Sequence, residues 1–398
     1  MTSNRLKCGI DIHTGDCRDV LSRLPEKHFH CCVTSPPYFG LRDYGVEGQI
    51  GLEPTPAEFV AAMLDVFLGV WRVLRDDGVC WLNLGDSYNT GSSPDRRVRD
   101  DYGDGRKNRK ARISPGVSGM KPKDMLGIPW TVALALRDAG WYLRDAVIWQ
   151  KPSPMPGRHR DRCTSAYEFI FQLTKKPQYF FDMEAIKEYS EPSTLARLSQ
   201  DVEGQAGSDR ANGGGKNNGP LRAVGVATRV PRNVWRISHE GFKKAHFATF
   251  PLELAVRCIK AATSERGCCA VCGAPWKRML VSERVPTRPG KNNCSDSTGK
   301  ANRDEKRHVS IVSQKGWESS CGCGEDIVPC RVLDPFAGAG TTGLAAKDMA
   351  RHATMIELNP DYVELMTQRI TRPKPPKNVS AVTPIDGQMD LFDEPDLS

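Results

Sequence analysis

Residues 31 to 40, CCVTSPPYFG, run from an apolar stretch directly into Thr34, Ser35, Pro36, Pro37 and Tyr38. Two prolines fix φ, remove two backbone donors and bias the residues before them toward extended conformations. A strand that stops this way holds its carbonyls and one aromatic ring rigidly at a sheet edge. A second stretch, RVLDPFAGAGTTGLAAKDMARHATMIELNPDYVELMTQRI, places Gly338, Gly340 and Gly343 in the pattern G-x-G-x-x-G. An acid, Glu357, follows about twenty residues past the first glycine, as in a nucleoside-binding turn. Glycines there let a ligand approach the backbone, the helix N-terminus favours an anionic group, and the acid accepts from ribose hydroxyls. Taken alone, each motif also fits a plain turn. The elements around them decide.

Residues 8 to 38 read as strand, helix, strand. In TPAEFVAAMLDVFLGVWRVL the residues Phe59, Met63, Phe67, Val70 and Leu74 share one helical face. Thr55 suits the N-cap, Pro56 the first helical position, and Glu58 a capping box. GVCWLNLGD then reads as a buried strand, DMLGIPWTVALALRDAG as a helix, and WYLRDAVIWQK, YEFIFQLTK and QYFFD as further strands. Val332 to Phe336 read as a strand, a helix follows from Thr342, a second strand ends at Glu357, and Asn359-Pro360 caps a last helix. Helices alternating with apolar strands give an α/β class with helices packed on a sheet.

A dinucleotide fold needs a second mononucleotide half after the glycine turn. Here only one helix and a polar tail follow, so the remaining strands must come from upstream and the sheet is permuted. A cofactor with one nucleoside and a short carboxylate arm, such as S-adenosylmethionine, suits a single half better than NAD does. The early VTSPPY and the late DPFAGAGTT together resemble the amino-group DNA methyltransferases in their permuted (beta-type) arrangement, over most of residues 8–263 and 330–372. The resemblance implies a three-layer α-β-α, Rossmann-like fold with a mostly parallel sheet in permuted order. It places Asp334, Phe336, Gly338, Gly340, Thr341 and Thr342 around the methionine part of S-adenosylmethionine, Glu357 on the ribose and Asp16 at the adenine. AHFATFP at 245–251 looks like the segment that closes over the carboxylate and contributes Thr249; Phe250 stands where the family usually has a lysine.

By the same resemblance Ser35, Pro36, Pro37 and Tyr38 are catalytic. An exocyclic amine is a poor nucleophile because its lone pair is delocalised into the base. The Ser35 hydroxyl and Pro36 carbonyl would accept its two hydrogens, Pro37 would aim that carbonyl, and Tyr38 would stack on a base extruded from the duplex. Thr-Ser-Pro-Pro-Tyr is the form associated with cytosine N4 methylation, and adenine N6 is the alternative. Cytosine C5 chemistry needs a thiolate, and Pro329-Cys330 precedes the cofactor strand, on the wrong side for attack. The rival of another class is a zinc-containing DNA-binding protein without turnover; a nicotinamide oxidoreductase is third.

Fourteen cysteines without a leader argue for reduced thiols and a metal rather than disulfides. Cys269-x-x-Cys272 and Cys321-x-Cys323 offer four thiolates for a structural zinc in a small insertion, with Cys268, Cys294 and Cys330 as substitutes. The expected segments are a catalytic half at 1–183 with a basic loop at 89–120, a target-recognition region at 184–240, a cofactor-closing segment at 241–263, the cysteine insertion at 264–329, the cofactor half at 330–372 and a disordered tail at 373–398. Recognition would use Arg197, Arg210, Lys216, Arg222, Arg229, Arg232 and Arg236, and a second basic surface runs from Arg96 to Arg112. A net charge of +8 permits double-stranded DNA as partner, and phosphate contacts would make binding salt-dependent. No apolar run is long enough to span a bilayer. A cytoplasmic place is expected, bacterial or that of an infected host. Enzymes of this kind also admit a homodimer and a cognate restriction endonuclease.

Overall fold

A computed structural model describes residues 2–89, 120–154, 156–157, 160–190, 228–239, 249–286, 308–324 and 326–372. The basic loop at 96–112, Arg197, Arg210, Lys216, Arg222, Cys294 and the tail from 373 lie outside the described residues.

The strands are β1 (Thr2–Leu6), β2 (Ile10–Thr14), β3 (Phe29–Thr34), β4 (Leu74–Leu84), β5 (Tyr142–Gln150), β6 (Tyr167–Thr174), β7 (Glu188–Tyr189), β8 (Thr228–Arg229), β9 (Val234–Arg236), β10 (Cys268–Cys269), β11 (Lys277–Pro286), β12 (His308–Glu318), β13 (Ile327–Val328), β14 (Arg331–Asp334) and β15 (His352–Glu357). The helices are α1 (Cys17–Arg23), α2 (Pro56–Val73), α3 (Ile128–Asp138), α4 (Leu252–Ala262), α5 (Thr341–Asp348) and α6 (Pro360–Thr371). Sequence chemistry sets several helix starts. Thr55 accepts from the Glu58 backbone N–H, Asn359 accepts from Asp361 N–H, and Pro56, Pro129 and Pro360 occupy first-turn positions where a missing N–H costs nothing.

The chain forms two units. The first, residues 1–186, 232–277 and 317–372, contains a nine-stranded sheet in the order β1-β2-β15-β14-β3-β4-β6-β5-β9. Its centre, β2 through β4, is parallel, whereas β6 runs antiparallel to both neighbours. The strands on either side of the glycine turn, β14 and β15, therefore lie beside β3 and β2 from the start of the chain, which is the permuted order expected. The second unit, residues 187–231, 278–316 and 373–398, holds the short β7–β8 pair, with Arg229 Nε 3.2 Å from Glu188 Oε2, and most of the β11–β12 pair.

Strand alternation sorts the core into two layers. Cys32, Cys80, Leu82 and Phe171 face α1, α2 and α3 through Leu21, Phe59, Phe67, Val70 and Val132. Cys31, Val33, Val79 and Trp81 face the other side, where α4, α5 and α6 pack through Leu254, Ile259, Ala345, Met366 and Ile370. The period of two along a strand makes adjacent cysteines serve opposite layers. The result is the three-layer α-β-α architecture. QYFFD does not form the strand expected of it. Phe180 donates to the Asp77 carbonyl and Asp182 to that of Ala261, so its backbone is satisfied by two separate elements and no ladder forms.

The turn between β14 and α5 depends on two glycines with positive φ, Gly338 at 51° and Gly340 at 75°. A Cβ on Gly340 would lie 2.5 Å from Met366 Cγ, whereas one on Gly338 would meet nothing within 4 Å. Gly340→Ala is therefore expected to lose about 2–4 kcal/mol of unfolding free energy, from left-handed strain plus overpacking, and Gly338→Ala only about 1 kcal/mol. Chemical denaturation of the two variants checks this, and equal losses would contradict it.

Candidate active site

Parallel strands β14 and β3 are neighbours, yet β14 continues toward β15 and β3 toward β4. Such a reversal opens a crevice beyond the carboxyl ends of the strands, where α/β sheets bind ligands. A cavity occupies that position. Ser35, Pro36, Pro37 and Tyr38 line it, as do Phe336, Gly338, Thr341, Glu357, Asp16 and Thr249. Segments three hundred residues apart thus share one cleft.

Asp334, Gly340 and Thr342, expected to touch the cofactor, are not among the lining residues. Asp334 is fully buried. Its Oδ1 accepts from Thr34 Oγ1 at 2.7 Å and from Phe336 N–H at 3.1 Å, and its Oδ2 accepts from Thr342 Oγ1 at 2.7 Å. The residue joins the end of β3 to the glycine turn and to the first turn of α5. Burial pushes its carboxyl up to about 6, with the three donors opposing the rise. Gly340 holds the turn in its left-handed conformation, and Thr342 is buried in the first turn of α5.

Glu357 ends β15 and bends back over the glycine turn. Its Oε2 accepts from Gly338 N–H at 2.7 Å and its Oε1 from Asn359 N–H at 2.9 Å, while burial raises its pKa against those bonds. Asp16 caps α1 and pairs with Arg18, whose guanidinium holds the Asp16 carboxyl below the usual range. The cleft fits a nucleoside with an amino-acid arm. An acid with spare acceptor capacity stands at Glu357, a second acid at Asp16, and the space beside Gly338 is one that a Cβ would enter without contact.

A polar group beside the SPPY segment had no signal in motif spacing. Tyr38 Oη donates to Glu168 Oε2 at 2.6 Å; Asn83 Nδ2 donates to the same oxygen at 3.1 Å; Lys151 Nζ pairs with Glu168 Oε1. Strand register assembles it, since Trp149 in β5 lies opposite Glu168 in β6 and Lys151 N–H donates to the Ala166 carbonyl at 2.7 Å. Burial and the Glu168 charge hold the Tyr38 phenol well above its ordinary pKa, so it stays a donor. A Cβ on Gly85 would come 2.6 Å from the Tyr38 ring, so only a glycine lets the ring sit there. Ring and hydroxyl are both fixed. The aromatic loop that follows, with Tyr44 against Tyr362 at 6.4 Å between ring centroids, also lines the cleft and was not singled out from the sequence. Polar residues inside apolar strands, Asn83 and Glu168, were the available clue.

Among the metal candidates, Cys269, Cys272, Cys321 and Cys323 come together, and Cys268 and Cys330 lie apart from them in a group with His30. Cys330 is buried and is not among the residues that line the cleft. Arg229 pairs with Glu188, and Arg232 and Arg236 are exposed.

With that geometry in place, likeness to known proteins decides the family. The N6/N4 DNA methylase family matches residues 29–270 and 306–368. This chain belongs to that family. It is 35% identical over 367 residues to the type II methyltransferase M.XycI of Xanthomonas campestris pv. cyanopsidis, covering 91% of this chain and 88% of that one. With M.SmaI of Serratia marcescens the identity is 34% over 372 residues, 94% of each chain. The fold matches the PvuII DNA methyltransferase (cytosine-N4-specific) at a TM-score of 0.52 and 16% identity, covering 94% of this chain and 92% of that one. S-adenosylmethionine is the methyl donor of these enzymes. No helix among the described residues of this methylase is long and apolar enough to cross a membrane.

Two measurements test the site's internal geometry. Asp334 has a folded pKa of about 6, above its unfolded value, so its favourable contribution is full below about pH 4 and lost as pH rises through 6. Relative to Asp334→Asn, the wild type should therefore gain up to about 3 kcal/mol between pH 7 and pH 4; a flat difference would contradict a buried carboxyl. A double-mutant cycle of Tyr38→Phe with Glu168→Gln should give a coupling of about 1–2 kcal/mol in unfolding free energy. Strict additivity would mean that the bond is not made in solution.

Proposed function

We propose that this methylase transfers a methyl group from S-adenosylmethionine to the exocyclic N4 amine of cytosine in double-stranded DNA, after the base has left the duplex. The observation that carries the proposal is the meeting of the Ser35–Tyr38 segment and the Gly338 turn in one cleft. The Ser-Pro-Pro-Tyr form favours cytosine over adenine, and the cytosine-N4 specificity of the PvuII enzyme, whose fold this chain shares, agrees with that choice.

In this reading Phe336, Gly338 and Thr341 hold the methionine part of the cofactor, Glu357 accepts from the ribose hydroxyls, and Asp16 stands at the adenine. Asp334, Gly340 and Thr342 keep the turn in shape. Thr249 closes over the carboxylate arm. When bound, S-adenosylmethionine supplies an electrophilic methyl on a sulfonium. The Ser35 hydroxyl and Pro36 carbonyl accept the two amine hydrogens and so restore nucleophilic character to the nitrogen. Pro37 fixes the direction of that carbonyl, and Tyr38, tethered by Glu168, stacks on the base and offsets part of the few kcal/mol that extrusion costs. The N–C bond would form as the methyl–sulfur bond breaks to leave a neutral thioether, and the nitrogen would release one of its two hydrogens to solvent as a proton; most of the acceleration comes from alignment of the two reactants. Residues 184–240 are the proposed target-recognition region. Zinc belongs to the proposal as a structural ion on the four cysteines, outside the transfer.

Mass spectrometry of nucleosides from DNA incubated with the protein should reveal N4-methylcytosine. Ser35→Ala should lower turnover by about 100-fold or more while leaving cofactor affinity within about threefold. N6-methyladenine would move the proposal to the other amine, and full turnover by the variant would remove Ser35 from the chemistry.

A further inference from the structure

Strand pairing and backbone hydrogen bonds hold the cysteine insertion together. β10 pairs antiparallel with β13, matching Cys268 with Val328 and Cys269 with Ile327. Cys269 N–H donates to the Ala274 carbonyl and Gly273 N–H to that of Cys269, both at 2.9 Å, closing a tight knuckle around Cys272. Gly273 has φ +72°, which the turn requires. On the opposing loop, Ser319 Oγ donates to the Cys321 carbonyl at 2.8 Å and accepts from Cys321 N–H at 3.2 Å. Ser320 Oγ donates to the Pro275 carbonyl at 2.6 Å, which ties the two loops together.

These bonds bring the Sγ atoms of Cys269, Cys272, Cys321 and Cys323 within 4.8 Å of one another. A tetrahedral tetrathiolate with Zn–S bonds of about 2.3 Å needs sulfurs roughly 3.8 Å apart, so a small contraction suffices. Apolar burial does not account for the convergence, because Cys272 and Cys323 are exposed and Val271 at the tip is 76% exposed. The neighbouring group does not compete. His30 Nε2 donates to the Gly273 carbonyl at 2.8 Å and its Nδ1 accepts from Arg331 N–H at 3.0 Å, which occupies both ring nitrogens.

We propose that Cys269, Cys272, Cys321 and Cys323 bind one zinc ion, and that the ion clamps the amino ends of three central strands rather than taking part in methyl transfer. The clamp acts through the knuckle carbonyls. Cys272 O accepts from Arg75 Nη1 in β4 at 2.7 Å, and Gly273 O accepts from His30 in β3, whose other nitrogen takes the first N–H of β14. A side chain on Gly273 would strike Arg75 at 2.7 Å, so the fit is close. β3, β4 and β14 are parallel and begin at this end; Ser35 and the glycine turn lie at the other.

Metal analysis of the purified full chain should find one zinc per chain in the wild type, one in Cys163→Ser and none in Cys321→Ser/Cys323→Ser. A folded wild type with no stoichiometric zinc that takes none up from zinc buffer would overturn the assignment, as would a double variant that keeps its ion. Should the double variant not fold, X-ray absorption at the zinc edge of the wild type decides the ligands. Four sulfur scatterers at about 2.3 Å are expected, and nitrogen or oxygen in the first shell would overturn the ligand set. Chelation should lower the melting temperature and leave cofactor affinity, measured below the transition, unchanged. Loss of that affinity in folded, metal-free protein would overturn a purely structural role.

Discussion

The buried Asp334 carboxylate is the constraint on which the site depends. It accepts from Thr34 at the end of β3, from Thr342 in the first turn of α5 and from the backbone of Phe336. A buried charge is tolerated only when its oxygens are satisfied, and two buried threonine hydroxyls are costly unless they have partners. Each of the three elements therefore needs the others in place. Geometry at the SPPY segment and geometry at the glycine turn are set by the same atoms.

Around that pin the cleft divides by chemistry. One wall is acidic and backbone-rich, with Glu357 bent over Gly338 and Asp16 capping α1. The other carries Tyr38, held by Glu168, which is itself balanced by Lys151 and Asn83. The Lys151 and Glu168 side chains are only 22% and 14% exposed, so this pair works in a less screened setting than a surface ion pair. A ring fixed at its hydroxyl has little freedom left to lose on packing against a ligand, which is how preorganisation lowers the cost of binding.

At the opposite end of the sheet the cysteine knuckle meets β3, β4 and β14 through Arg75 and His30. The central strands are thus held from both ends, by a carboxylate at one and by knuckle carbonyls at the other. Between them lie fully buried residues such as Cys31, Cys32, Val79 and Leu333. In the chain, residues 187–231 and 278–316 of the second unit are inserted between elements of the first.

Local patterns in the chain alone determined most element identities, the capped starts of α2 and α6, the strand-turn-helix around Gly338 and the two motifs that name the family. Such features depend on neighbours within a few residues, so spacing reveals them. Segments such as QYFFD misled, because an apolar run says nothing about whether a ladder partner is free. Only tertiary structure decided that Asp334 is a buried brace, since its three donors come from residues 34, 336 and 342. Only strand register decided that Lys151, Glu168 and Asn83 converge on Tyr38. Hydrogen bonds between residues far apart in the chain leave no period in the sequence, and burial, which gives them their strength, exists only after the layers have closed.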